Sequence, residues 1–528
     1  MLNRWFYRRL CYTLRFSQLV DGGIAMTAKH SAPVRGLMSA GRSPTFEGLF
    51  GRMFRALPPA SFGETDDDNT TNLTALGIAM SGSASDVAKD GKDDEESGIP
   101  ALYTYFGQFV DHDITFDPAS SLQKQNDPDA LVDFRTPAFD LDNVYGRGPG
   151  DQPYIYDNGD AFLLGNALQG GSDAGAKDLP RNAAAQGRRR ALIGDPRNDE
   201  NAIVSQLQGL FLRFHNRKLQ DNPGISSFET LQRLVRFHYQ YVVLNDFLPR
   251  IVHSSVLDQL KTNGKYDAKK LQYFHWKNTP FMPVEFSVAA YRFGHSMVRP
   301  GYRLNDQVML PIFPTTASGE GLTGFREMNP AWGLDWGRFI DIDTRKYDGT
   351  PDENAKRLQY AYRIDTSLVN PLGNLPHAVA SNPASLAARN LLRGWRLGLP
   401  SGQHVAQQMG ITPMDDEDIL LGQGVDEPDK PLPNILSVSQ AFKGNCPLWT
   451  YILAEAMHFK EPVKIAVTED VTLQTPKLGP VGGRIVAEVF LGLMFGDKHS
   501  MLSVAPDWEP DEGPDFKLKD FVRYALGQ

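Results

Sequence analysis

The chain has 528 residues, 41% of them hydrophobic and 22% charged, with a formal net charge of −9. That balance is ordinary for a globular protein, and with no basic stripe it argues against nucleic acid as the main partner. The two cysteines, Cys11 and Cys446, exclude a disulfide framework and a cysteine-rich zinc or iron–sulfur site, and leave at most a single bridge.

Residues 1–23 are basic and aromatic, and arginines interrupt every apolar patch, which makes a poor secretory signal. Either Met26 is the start and residues 1–25 are mis-assigned, or the segment is an amphipathic surface helix. The compartment stays open between cytoplasm and export by a non-classical route. No apolar run reaches the length of a transmembrane span. Residues 26–62, basic and spotted with Pro and Gly, read as a surface arm. The acidic runs Asp66–Asp68 and Asp93–Glu96 read as solvated loops. Residues 1–97 are thus expected to form an arm with loops, and residues 98–528 one domain.

Helical patterning begins near Ile99 and leads into Gly107–Phe116, GQFVDHDITF. Gln108, Asp111, His112 and Asp113 crowd here between Phe109, Val110 and Ile114. On a helix Gln108 and His112 share a face. Buried carboxylates and imidazoles rarely go without partners, so the stretch is either a site or a polar helix end with a satisfied histidine. Residues 117–190 read as loops, with Gly165–Gly175 the most flexible. Within them Thr136, Ala138, Asp140 and Asp142 alternate and would aim oxygens at one point. Hard oxygen ligands suit Ca²⁺; a solvated loop is the other reading.

In Gly194–Asn201, GDPRNDEN, Arg197 and Glu200 share a face ahead of a long helix. Alternatively Asp199 and Glu200 cap that helix. Residues 200–256 are helical in pattern, with Leu207, Leu210, Phe211 and Phe214 on one face. The spacing predicts an apolar helix over Val284–Val298, in which Gly294 leaves space beside His295. A lone imidazole on such a helix is either a haem-iron ligand or a core histidine. A ligand histidine needs a partner for its other nitrogen, and Asn390 is a candidate. Further helices are expected over Ala384–Leu397, Pro447–Met457 and Gly479–Met494. Without strand–helix alternation the fold class is mainly α, one large helical domain with long loops and little β.

Together these stretches resemble the animal-type haem peroxidases, the peroxidase–cyclooxygenase superfamily that includes myeloperoxidase and lactoperoxidase. The likeness runs from about residue 98 to about residue 500, through GQFVDHD, FDLDNVYG, GDPRNDEN, LFLRFHNR, YRFGHSMV, Asn390–Pro400 and GPVGGRIVAEV. The bacterial-type members are most similar, given the two cysteines. The resemblance implies haem b between a distal and a proximal helix. It implies His112 and Arg197 as the distal pair, Gln108 lining their pocket, His295 as the iron ligand and Asn390 as its partner. It implies calcium held by Asp113, Thr136, the Ala138 carbonyl, Asp140 and Asp142. Asp111 and Glu200 match carboxylates that form ester bonds to haem methyls, and Arg292 and Arg393 match residues near the propionates.

The implied activity is reduction of hydrogen peroxide through Compound I, with oxidation of an organic, halide or thiocyanate donor. Asn201 departs from the sulfur-bearing methionine of myeloperoxidase. Arg292 stands where cyclooxygenases carry a radical tyrosine, with Tyr291 one position away. That weighs against the alternative of a fatty-acid dioxygenase. The intact His112–Arg197 pair weighs against a haem- and calcium-bearing adhesion protein without turnover. The donor and the oligomeric state are not readable.

Overall fold

A computed structural model describes residues 48–82, 89–116, 132–133, 135–157, 159–183, 187, 189–316, 319–377, 379–380, 382–426 and 430–528. The basic start, most of the expected arm and Cys11 lie outside the described residues; Cys446 is a buried free thiol. Among the described residues no helix is long and apolar enough to cross a membrane.

β1 (Gly48–Gly51) is followed by α1 (Asp66–Ala79). Asp66–Asp68 is therefore not the expected loop but the first turn of α1. Thr65 and Asp68 cap each other reciprocally, and the carboxylates face the positive end of the helix. The second acidic run is solvated only in part: Asp94 is exposed, but Asp93 and Glu96 are buried. Glu96 opens β2 (Glu96–Pro100), is buried, and accepts from Arg299 at 2.7 Å and Arg357 at 2.6 Å. Two guanidiniums compensate its burial.

α2 (Leu102–Ile114) is apolar around most of its circumference and correspondingly buried. β3 (Val132–Asp133) and β4 (Met282–Pro283) flank β1, antiparallel and parallel respectively. Gly165–Gly175, expected to be flexible, is pinned: Gly165 N–H donates to Asp178 O and Leu168 N–H to Ala176 O, each at 2.9 Å. α3 (Ala202–Asp221) takes its N-cap from Asn201, whose Oδ1 accepts from the Ile203 and Val204 amides. α4 (Phe228–Val242) runs into a π-turn at Val243–Phe247 and a short helix to Ile251.

The helix expected over Val284–Val298 breaks in two. Val284–Val288 is α-helical and Ala290–His295 is a 3₁₀ segment, with the pivot at Ala289. Glu285 is fully buried and accepts from the Met53 and Phe54 amides at 3.1 Å, while Arg292 Nε takes the Ser287 carbonyl at 3.1 Å. These contacts fix a tighter turn than an α-helix allows.

β5 (Tyr360–Tyr362) pairs antiparallel with β2. α5 (Leu386–Arg396), α6 (Leu448–His458) and α7 (Gly482–Gly496) form close to the expected places. Between α6 and α7, β6 (Lys460–Lys464) and β7 (Thr472–Pro476) make an antiparallel ladder. A Cβ at Gly482 would lie 2.4 Å from Ile452 Cγ2, so only glycine lets α7 approach α6. α8 (Leu518–Leu526) closes the core. Phe109 of α2 stacks on Phe211 of α3 at 4.2 Å, and Phe211 and Phe214 meet Phe521 of α8 at 4.6 and 3.9 Å. Each such side chain contributes roughly 1.5–3 kcal/mol on burial, so this stack anchors α2 against α3. The architecture is mainly α, with small sheets of two or three strands among the described residues.

Candidate active site

The last turn of α2 and the start of α3 meet through a 3₁₀ turn, Pro196–Asp199. Arg197 Nη2 donates to the carbonyls of His112 at 3.0 Å and Thr115 at 2.6 Å, capping the C-terminal end of α2. Its guanidinium also pairs with Asp195 at 2.7 Å and lies 4.3 Å from the Phe116 ring centroid. Asp195 is fully buried and accepts from Arg135 Nε at 2.9 Å. Burial pushes its carboxyl up, but Arg197 and then Arg135 overcome that and hold it far below the carboxylate range.

His112 is buried on α2, and its Nδ1 lies 2.7 Å from Asn198 Oδ1. Burial, then the Arg197 charge, lowers its pKa to about 3, so the ring is neutral near pH 7. Nε2 has Glu200 Oε1 as a neighbour at 3.8 Å, beyond hydrogen-bond reach. Glu200 accepts a short bond from Gln108 Nε2, and Gln108 Oε1 accepts from Asn201 Nδ2 at 3.1 Å. Burial raises Glu200 to about 7 against the pull of Arg197. Asp111 is raised by burial, which Arg197 and Arg292 oppose. The cap of α3 is Asn201 rather than Asp199 or Glu200; Asp199 pairs instead with Arg181 at 2.7 Å.

On the other wall, Tyr291 Oη donates to Gly107 O at 3.2 Å, tying the 3₁₀ segment to α2. His295 is lowered to about 3 by burial and then Arg292, so it is neutral and competent to bind a metal. A Cβ at Gly294 would meet nothing within 4 Å, so the backbone next to His295 faces open space. Asn390 on α5 stands 2.8 Å from His295 Nδ1 through Nδ2, while its Oδ1 accepts from Arg292 Nη1 at 3.2 Å. An Nε2 that binds iron needs Nδ1–H to donate, so the Asn390 amide would have to turn its oxygen to His295 and give up the Arg292 Nη1 contact. Burial and then Arg393 lower Arg292 to about 10, which marks two half-buried cations near each other. Such a pair suits an anionic ligand. His215 has both ring nitrogens engaged, by Tyr145 Oη at 3.0 Å and Asp160 O at 2.8 Å, and is a core histidine.

Immediately after His112, Asp113 joins Asp140 and Asp142, and the three carboxylates place ligand atoms within 4.8 Å of one another. Leu141 between the last two has φ 58°, a left-handed conformation that brings both carboxylates to Asp113. A non-glycine residue held there costs about 1–3 kcal/mol, which something at the site must offset. Both Asp113 oxygens and Asp142 Oδ1 are buried with no hydrogen-bond donor. Burial, then Asp140 and Asp142, pushes Asp113 well above the carboxylate range. Converging unpartnered oxygens fit a hard divalent cation. Thr136 and Ala138 precede them on the same loop, with Ala138 N–H donating to Thr136 O at 2.8 Å.

Sequence reasoning passed over Asn198, Gln208 and Asp195. The available signal was the pair of amide side chains, Gln206 and Gln208, in the largely apolar first half of α3, since buried amides require partners.

Comparison with known proteins supplies an independent line. The sequence profile of the family described as animal haem peroxidase matches residues 122–424, beginning beyond the His112 motif. The chain is 26% identical over 238 residues to peroxidasin of Drosophila melanogaster, covering 44% of this chain and 14% of that protein. It is 26% identical over 235 residues to human thyroid peroxidase, covering 42% of this chain and 23% of that one. The chain thus spans less than a quarter of either relative. Peroxidase A from Dictyostelium discoideum shares the fold, with a TM-score of 0.59 at 15% identity over 92% of this chain and 94% of that one.

Proposed function

Since the chain belongs to the animal haem peroxidase family, we propose that it reduces hydrogen peroxide to water while oxidising a small organic molecule, a halide or thiocyanate. The carrying observation is His112, buried and neutral, with Nδ1 tied to Asn198 and the Arg197 charge beside it. The residues present suit haem b and calcium: neutral His295 next to open space at Gly294, and three converging carboxylates with orphaned oxygens. His295 would hold the iron with Asn390 behind it, Arg292 and Arg393 would face the haem carboxylates, and Asp111 and Glu200 would flank the ring. Asp113, Asp140 and Asp142 would hold calcium, joined by Thr136 and the Ala138 carbonyl.

Bound haem supplies the electrons that reduce peroxide. The chain supplies proton movement and charge. His112 Nε2 takes the proton from the near peroxide oxygen and returns it to the departing oxygen, so water leaves rather than hydroxide. Arg197 offsets negative charge as the O–O bond lengthens. Gln108, itself held by Asn201, holds Glu200 against the pocket, and Asp113, Asp140 and Asp142, if they held calcium, would tie α2 to the Asp140–Asp142 loop and keep His112 in place.

The test is an optical spectrum of the haem-loaded protein, followed by peroxide consumption with an organic donor and, separately, with iodide and thiocyanate. We expect a Soret band and donor-dependent consumption of peroxide. Absence of the Soret band, or of peroxide consumption with every donor, would refute the reading.

A further inference from the structure

Beyond His112 the structure contains a chain of side-chain amides that the mechanism above does not use. His112 Nδ1 lies 2.7 Å from Asn198 Oδ1. Asn198 Nδ2 donates to Gln208 Oε1 at 2.8 Å, and Gln208 Nε2 donates to the backbone carbonyl of Asn143 at 3.5 Å, a long bond. Asn198, Gln208 and Asn143 are each fully buried, so no water competes for these groups. The groups come from separate elements: the Asn198 amide from the 3₁₀ turn, the Gln208 amide from α3, and the Asn143 carbonyl, which also accepts the Asp195 amide at 3.0 Å, from the short helix Asp142–Tyr145 that follows Asp140.

The chain has a direction. A backbone carbonyl only accepts, so Gln208 must turn its NH₂ to Asn143 and its oxygen to Asn198. Asn198 must then offer NH₂ to Gln208 and its oxygen to His112. An amide oxygen cannot donate, so His112 must carry its proton on Nδ1. The competing arrangement puts the proton on Nε2, toward Glu200. It would set two lone pairs against each other at 2.7 Å, and it gains no bond, because Glu200 Oε1 is 3.8 Å away.

We propose that Asn198 and Gln208 are positioning residues that fix His112 as its Nδ1–H tautomer, leaving the Nε2 lone pair free to accept the proton of peroxide. The functional half rests on the peroxide-reducing reading; the tautomer does not. The wrong tautomer would present an N–H to peroxide and leave no base, whatever the pH. The Asn143 carbonyl, three positions after Asp140, thereby sets the chemistry of a ring on another helix.

The test uses the haem-loaded chain labelled with ¹⁵N-histidine, in the diamagnetic ferrous carbon monoxide form, with His112→Gln assigning the signal. Long-range ¹H–¹⁵N correlation reports which ring nitrogen carries the proton. Wild type should show protonated Nδ1 and bare Nε2. Gln208→Met keeps length and removes the amide, so Asn198 is free to turn and a mixture of tautomers should appear. Gln208→Glu should restore the wild-type pattern, because a buried carboxyl in its acid form accepts from Asn198 and donates to Asn143.

The reaction with peroxide should slow by about tenfold in Gln208→Met and about a hundredfold in Asn198→Leu, within the span of a lost general base. A purely structural role for Gln208 would lower the melting temperature of Gln208→Met and leave the tautomer unchanged, which would overturn the proposal. So would an Nε2–H signal in the wild type. If Gln208→Met does not fold, Asn198→Asp decides: it keeps an acceptor on His112 and should keep Nδ1–H, and a switch to Nε2–H would overturn the proposal. An expected tautomer together with unimpaired peroxide reaction in His112→Gln would remove the peroxidase role of His112 and leave the relay standing.

Discussion

Asp111 and Glu200 place carboxylates on either side of His112, on α2 and at the entry to α3. The family resemblance makes them candidates for covalent chemistry: a carboxylate held against a haem methyl is positioned to be joined to it during turnover. After peroxide treatment, extraction with acidified solvent should leave haem on the wild type and release it from the Asp111→Val, Glu200→Val double variant. Complete extraction from the wild type would contradict this. Asn201 has no sulfur and its amide is engaged by α3 and Gln108, so no sulfonium link to residue 201 is expected. His112, Arg197 and His295 were legible because chemistry-bearing residues crowd short apolar stretches. Asn198 was not, because its meaning lies in a contact with His112 spanning 86 positions. The Asn390–His295 pairing was legible as proximity, but not the competing Arg292 contact on the same amide.

Elements were legible where their periodicity was uninterrupted, as in α5, α6 and α7. α1 was missed although Thr65 and Asp68 form a capping box, because an acidic run reads equally as a solvated loop until its helix is seen. The break at Ala289 was invisible because its causes, the Met53 and Phe54 amides on Glu285, come from the far end of the chain. Two predictions belong at this scale. Asp140→Ala should abolish bound calcium by elemental analysis and lower thermal stability. Calcium at a hundredfold excess over its Kd contributes about 3 kcal/mol, and that much should be lost. A metal-free wild type of unchanged stability would contradict it. The second concerns the ladder of β6 and β7. Burial pushes Glu461 up, but Lys477 and then the Ser254 contacts overcome it and lower the carboxyl from 4.5 to about 2. A depressed folded pKa contributes stability above the unfolded value, and that stability disappears as pH falls toward the folded one. Glu461→Gln should therefore be less stable than wild type in urea at neutral pH, with the gap narrowing below about pH 4.5 and closing near about pH 2. A gap independent of pH would contradict this.

Across the whole molecule, the described chain buries its apolar residues in one dominant core, with α2, α3 and α8 stacked through Phe109, Phe211 and Phe521. The mainly α class followed from sequence because helical spacing recurs along the chain without alternating strands. The small sheets did not, because strands such as β1 and β3 are short and pair across long separations. Arg197 joins the turn before α3 to the end of α2, and Tyr291 joins the 3₁₀ segment bearing His295 to the same helix. The proposed movement of a proton by His112 during peroxide reduction is tested most directly by stopped-flow optical spectroscopy of haem-loaded wild type and His112→Ala. Both should show the same ferric spectrum before mixing, and the variant should react with peroxide about 10²–10⁴-fold more slowly. Equal rates in the two proteins would contradict the account.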